Sequence, residues 1–121
     1  MKFLLVTIHV RDLDESIAFY RDIVGLAVKR RFSGGPGVEI AFLGEGETEV
    51  ELISDAKNPD VSVGTGISIG FETASVNELI SSLREKCVPV ISEVIQPNPH
   101  VKFFFATDPN GVRIEFLESI G

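Results

Sequence analysis

Leu5-Val6-Thr7-Ile8-His9-Val10-Arg11-Asp12-Leu13-Asp14-Glu15-Ser16-Ile17-Ala18-Phe19-Tyr20-Arg21-Asp22-Ile23-Val24-Gly25 decides the fold, because its grammar occurs twice. Leu5 to Val10 is a β-branched run with the pattern of a short strand. Asp12-Leu13-Asp14-Glu15 then opens a helix with an N-cap and a Glu three residues on, the pattern of a capping box. Ile17, Tyr20 and Val24 fall at helical spacing, and Gly25 supplies a stop. Starting at Ser68 the order recurs: strand Ser68-Ile69-Gly70-Phe71-Glu72, cap Ser75-Val76-Asn77-Glu78, then Leu79, Ile80 and Leu83 on one helical face.

β-rich runs broken by turn residues follow each helix. They are Val38 to Leu43 and Glu49 to Ile53 in the first half, and Phe103 to Thr107 and Val112 to Leu117 in the second. Gly44-Glu45-Gly46 and Asp108-Pro109-Asn110-Gly111 read as the turns between them. Ala27 to Phe32 and Val90 to Ile95 complete the count as second strands. The expected organisation is a single α+β domain over 1–121 made of two βαβββ modules, about 1–57 and 64–121. A linker rich in Asn, Pro, Gly and Ser joins them at about 55–66. Four strands leave one sheet face uncovered, so pairing of modules is expected, with a ligand cleft between their inner faces.

Composition narrows the function. Eighteen Asp and Glu against 11 Lys and Arg give a net charge of −7, which repels a polyphosphate and argues against a nucleic-acid partner. No stretch has the roughly 20 apolar residues of a membrane helix. The single cysteine, Cys87, excludes an intrachain disulfide, and a Cys/His structural zinc site lacks its residues. A cytoplasmic setting is the default expectation.

The run His9 to Asp22 followed by Gly25-Leu26, with the closing run Asp108-Pro109-Asn110-Gly111-Val112-Arg113-Ile114-Glu115-Phe116, resembles the vicinal oxygen chelate superfamily. That superfamily includes glyoxalase I, methylmalonyl-CoA epimerase, extradiol dioxygenases, fosfomycin-resistance enzymes and metal-free bleomycin-binding proteins, so the resemblance implies a fold more than an activity. It implies four inward metal positions, which on this chain are Leu5, Glu51, Ser68 and Glu115. Leu5 has nothing to coordinate with, and the neutral hydroxyl of Ser68 is a poor transition-metal ligand. His9 shares strand parity with Leu5, but four residues of strand carry it roughly 13 Å away from the metal position; the resemblance to glyoxalase I, where the equivalent position carries an arginine for a substrate carboxylate, implies a polar anchor for a ligand.

Glu51 and Glu115 alternate with Leu52 and Phe116, and on the inner face they are candidate catalytic carboxylates as well as candidate metal ligands. The bland alternative has them solvated or bonded to Lys102 or Arg113. Ile40, Phe42, Phe103 and Phe105 are the expected apolar walls, with Ser68 and His9 as polar ligand contacts. Consecutive Lys29, Arg30 and Arg31 read as a solvated strand edge, with Lys29 and Arg31 on one face and Arg30 on the other. His100 reads as a loop residue and Cys87 as an inert thiol.

Two functions follow. The first is a small-molecule-binding protein of the bleomycin-resistance kind, with an incomplete metal site, no cofactor and an apolar or aromatic ligand. The second is a metal-dependent glyoxalase-like lyase or isomerase of the lactoylglutathione-lyase type, using Glu51 and Glu115 with nickel, zinc or manganese. A metal-free enzyme using the carboxylate pair directly is a weaker third. The superfamily commonly pairs modules across a dimer, so a homodimer is expected in each case.

Overall fold

A computed structural model describes all residues, 1–121. The chain divides into two compact units, Met1–Val63 and Gly64–Gly121. The first unit contains β1 (Leu5–His9), a short helix α1 (Leu13–Ala18) running into a π-helical turn (Phe19–Ile23), then β2 (Val28–Gly35), β3 (Val38–Leu43) and β4 (Glu49–Asp55). The second contains β5 (Ser68–Glu72), α2 (Val76–Glu85), β6 (Ile95–Asn98), β7 (Val101–Thr107) and β8 (Arg113–Ser119). Each is a four-stranded mixed sheet with one helical segment. The strand orders are β1-β4-β3-β2 and β5-β8-β7-β6, with the first pair parallel and the rest antiparallel. This is the expected α+β fold of two βαβββ modules.

Both helix starts form as the sequence requires. Asp12 accepts from the Glu15 amide at 3.0 Å and Ser75 from the Glu78 amide at 3.2 Å, each satisfying a donor that the first turn leaves open. Glu118 of β8 adds a second acceptor at α2, taking the Val76 amide at 2.8 Å. The ends differ. In the first unit the helix widens, with the Val24 amide reaching the Phe19 carbonyl at 3.2 Å, a five-residue step that the 3.6-residue spacing does not foretell. The consecutive Phe19 and Tyr20 are both buried there, edge to face at 5.0 Å. Gly25 then ends the helix at φ +89, whereas Cys87 does the same after α2 at φ +57.

The helix-facing side of each sheet is the core. Ile8, Ala41, Leu43, Val50 and Leu52 are buried in the first unit, and Phe104, Ala106, Ile114 and Phe116 lie under Val76, Ile80 and Leu83 in the second. The strand expected at Val90 to Ile95 does not form as one piece. Val90 makes an isolated bridge to Ala106, and Ser92 Oγ accepts from the Phe105 amide at 2.9 Å, so a side chain takes an edge bond that a strand carbonyl would. Strand pairing resumes only at Ile95. The first unit's second strand is instead longer than expected, running through Ser33-Gly34-Gly35, and Pro36-Gly37 is its turn into β3.

A side chain in the left-handed region costs about 1 kcal/mol or more, because Cβ crowds the following carbonyl. Cys87→Gly is therefore expected to raise unfolding free energy by about 1 kcal/mol, and Cys87→Val to lower it, both read from urea denaturation.

Candidate functional site

Strand pairing aligns residues on the sheet face that the helix leaves uncovered. In the first unit Thr7, Glu51, Phe42 and Arg30 are successive partners across all four strands. Thr7 donates its hydroxyl to Glu51 Oε1 at 2.7 Å, which fixes the half-buried carboxylate through one of its two oxygens. Phe42 is only 8% exposed because the Arg30 guanidinium lies 4.0 Å above its ring and Phe32 stacks beside it at 6.0 Å. His9, Ile53, Ile40 and Phe32 form the next row. His9 is exposed, and near it the Lys57 amide and then the Asn58 side chain donate to the Asp55 carboxylate and hold its pKa below the usual carboxylate value.

The second unit repeats the arrangement with different neighbours. Gly70, Glu115 and Phe105 are successive partners. Where Thr7 stands in the first unit, Gly70 leaves open room: a Cβ placed on it would sit 3.8 Å from Glu115 Oε2, an ordinary contact. Phe103 meets Phe105 edge to face at 5.9 Å, and both rings are half-exposed. Ser68 is exposed and pairs with Arg113, whose guanidinium carbon lies 4.7 Å from the centre of the Phe105 ring. Each unit therefore carries a glutamate, a phenylalanine beside it and an arginine over that ring.

Several sequence expectations are corrected by these contacts. Lys29 and Arg30 do not point to opposite faces, because a bulge between Val28 and Arg30 lets both reach Glu49, at 3.8 and 3.4 Å. Arg31 is tied to Asp14 at 2.6 Å and Glu39 at 3.3 Å, so the basic run is an ion-paired edge. Lys102 belongs to Glu118, 3.9 Å away at the start of α2, and not to Glu115. Thr7 and Gly70, the direct partners of the two glutamates, were legible only through strand parity with Leu5 and Ser68. Arg30 was hidden by the bulge.

The donors do not fit a divalent transition metal. Leu5 is hydrocarbon and pairs with Glu49, the nearest strand partner of Glu51 is a hydroxyl already donating to it, and Ser68 offers a neutral oxygen.

The model of the Glyoxalase/Bleomycin resistance protein/Dioxygenase superfamily matches residues 2–116. A probable lactoylglutathione lyase from Synechocystis is 33% identical over 128 residues, covering 97% of this chain and 95% of its own. Mitochondrial methylmalonyl-CoA epimerase from Bos taurus is 28% identical over 134 residues, covering 94% and 72%. Among solved structures, the trypanothione-dependent glyoxalase I of Leishmania major superposes with a TM-score of 0.84 at 28% identity, covering 98% of this chain and 86% of that one.

The packing of Arg30 on Phe42 has a direct check. A double-mutant cycle of Arg30→Ala and Phe42→Leu is expected to give a coupling of about 0.5 to 1 kcal/mol in unfolding free energy, and additive effects would show that the contact contributes nothing.

Proposed function

The chain belongs to the Glyoxalase/Bleomycin resistance protein/Dioxygenase superfamily, and on that premise we propose that it binds a small apolar or aromatic molecule without a resident metal. The observation that supports this most is the pairing of each glutamate: Thr7 beside Glu51 and Gly70 beside Glu115, where a metal centre needs nitrogen or carboxylate donors. Ile40, Phe103 and Phe105 supply apolar surface, while Glu51 Oε2, Glu115, Ser68 and His9 supply polar contacts that orient the ligand. The ligand lies on the sheet face that the helix leaves uncovered, and the working form is a homodimer in the cytoplasm. No helix is long and apolar enough to cross a membrane.

A second reading has a specific support. Relatives carry the name lactoylglutathione lyase, and this chain keeps Glu51 and Glu115. Under that reading the two carboxylates would be metal ligands, with one of them moving a proton next to a carbonyl.

Metal content separates the two. After incubation with nickel, zinc and manganese and removal of unbound ion, the purified protein is expected to retain well below one metal per chain, because two carboxylates alone hold a divalent ion weakly. A ratio near one, lost in Glu51→Ala, would overturn the metal-free reading.

A further inference from the structure

Lys57, Arg84 and Lys86 are exposed cations without a carboxylate within 4 Å, and Arg113 differs from them in being half-buried on a sheet face. Lys2, Arg21, Lys29, Arg30, Arg31 and Lys102 each have a carboxylate within 4 Å. Arg113 has none: its guanidinium rests on the ring of Phe105, and its Nε is buried with no hydrogen-bond acceptor. The Nε is closed off by the protein itself, whereas the two terminal nitrogens of the fork are neither paired nor buried and stay open to an oxygen that another molecule supplies.

The repeat sharpens the point. Glu49 begins β4 and pairs with Leu5, while Arg113 begins β8 and pairs with Ser68, so the two occupy the same place in their units. In the first unit that place is a carboxylate shared by Lys29 and Arg30. In the second it is a cation with no carboxylate within 4 Å. Arg113 lies two residues before Glu115 on the same strand and the same uncovered face, beside the exposed hydroxyl of Ser68 and the half-exposed ring of Phe105.

We infer that Arg113 is the anion-recognising residue of the ligand face, and that the ligand is a small monocarboxylate with an apolar or aromatic body. The inference rests on the small-molecule-binding function proposed above. A guanidinium offers a planar fork that matches two carboxylate oxygens, and Ser68 stands across the strand pair to donate a further bond. Stacking on Phe105 holds the fork in place, so little side-chain freedom is lost on binding. The apolar body of the ligand then lies along Phe105 and Phe103. Glu115 sets the other limit: its negative charge repels a second anionic group, so the ligand carries one carboxylate, at the Arg113 end, and an uncharged group beside Glu115.

The test uses benzoate, phenylacetate and phenylpyruvate as probes, each against its neutral amide, by calorimetry and by the Nε–H signal of Arg113 in nitrogen-15 NMR spectra. At least one acid is expected to bind about tenfold or more tightly than its amide and to shift the Arg113 Nε–H signal. Arg113→Gln should erase the preference, and Arg113→Lys should restore only part of it. Equal affinity for acid and amide, or an acid preference that survives Arg113→Gln, would overturn the inference while leaving a ligand face intact. Failure of every acid and amide to bind would overturn it together with the binding function. A purely structural Arg113 is excluded separately: Arg113→Met is expected to lower the melting temperature by no more than about 2 °C, and a larger loss would mean that the arginine serves packing instead.

Discussion

Strand parity in β4 and β8 is the constraint on which everything else depends. Each of these strands lies between two neighbours in its sheet, and each alternates core residues with face residues: Val50 and Leu52 against Glu49 and Glu51, Ile114 and Phe116 against Arg113 and Glu115. A slip of one residue would turn the glutamates into the helix-covered core and the leucine and phenylalanine into water, a change that burial energetics forbids. Register is therefore fixed by the core, and the polar residues of the uncovered face are placed as a by-product. Thr7 meets Glu51, Phe42 meets Arg30 and Gly70 meets Glu115 because Leu52, Leu43 and Ile114 must be buried.

On that frame the two units diverge by charge. The first uses its cations internally, with Lys29 and Arg30 on Glu49 and Arg31 on Asp14 and Glu39. These pairs are largely exposed and contribute little stability singly, but they leave the unit's basic strand without unspent positive charge. The second unit spends Lys102 on Glu118 at the helix start and keeps Arg113 on the uncovered face. The two units share one scaffold, and different residues at equivalent places give one a hydrogen-bonded carboxylate and the other a carboxylate on the same strand as a cation without an ion pair.

Much of this was legible in the sequence. The capping residues Asp12 and Ser75, the stop at Gly25 and the turn at Asp108 to Gly111 are local chemistry, and each forms as read. The two-module fold followed from the repeat and the superfamily from the resemblance of the runs His9 to Leu26 and Asp108 to Phe116, and both are borne out by the match over residues 2–116 and by the superposition on a glyoxalase I. What was not legible depends on partners distant in sequence. The displaced sixth strand follows from Ser92 capturing the Phe105 amide, the paired Lys29 and Arg30 from a bulge, and the role of Arg113 from a ring eight residues away on a neighbouring strand. The π-helical turn reflects burial of two adjacent aromatics, which periodicity alone does not encode.

The central claim is that this member of the superfamily works by binding, with carboxylates and aromatic rings in place of a metal centre. Its most direct test is turnover of a glutathione hemithioacetal to lactoylglutathione by the purified protein, with nickel, zinc or manganese supplied in excess. The account predicts no rate above the uncatalysed background with any of the three. Metal-dependent turnover that disappears in Glu115→Gln, with the fold retained, would contradict it.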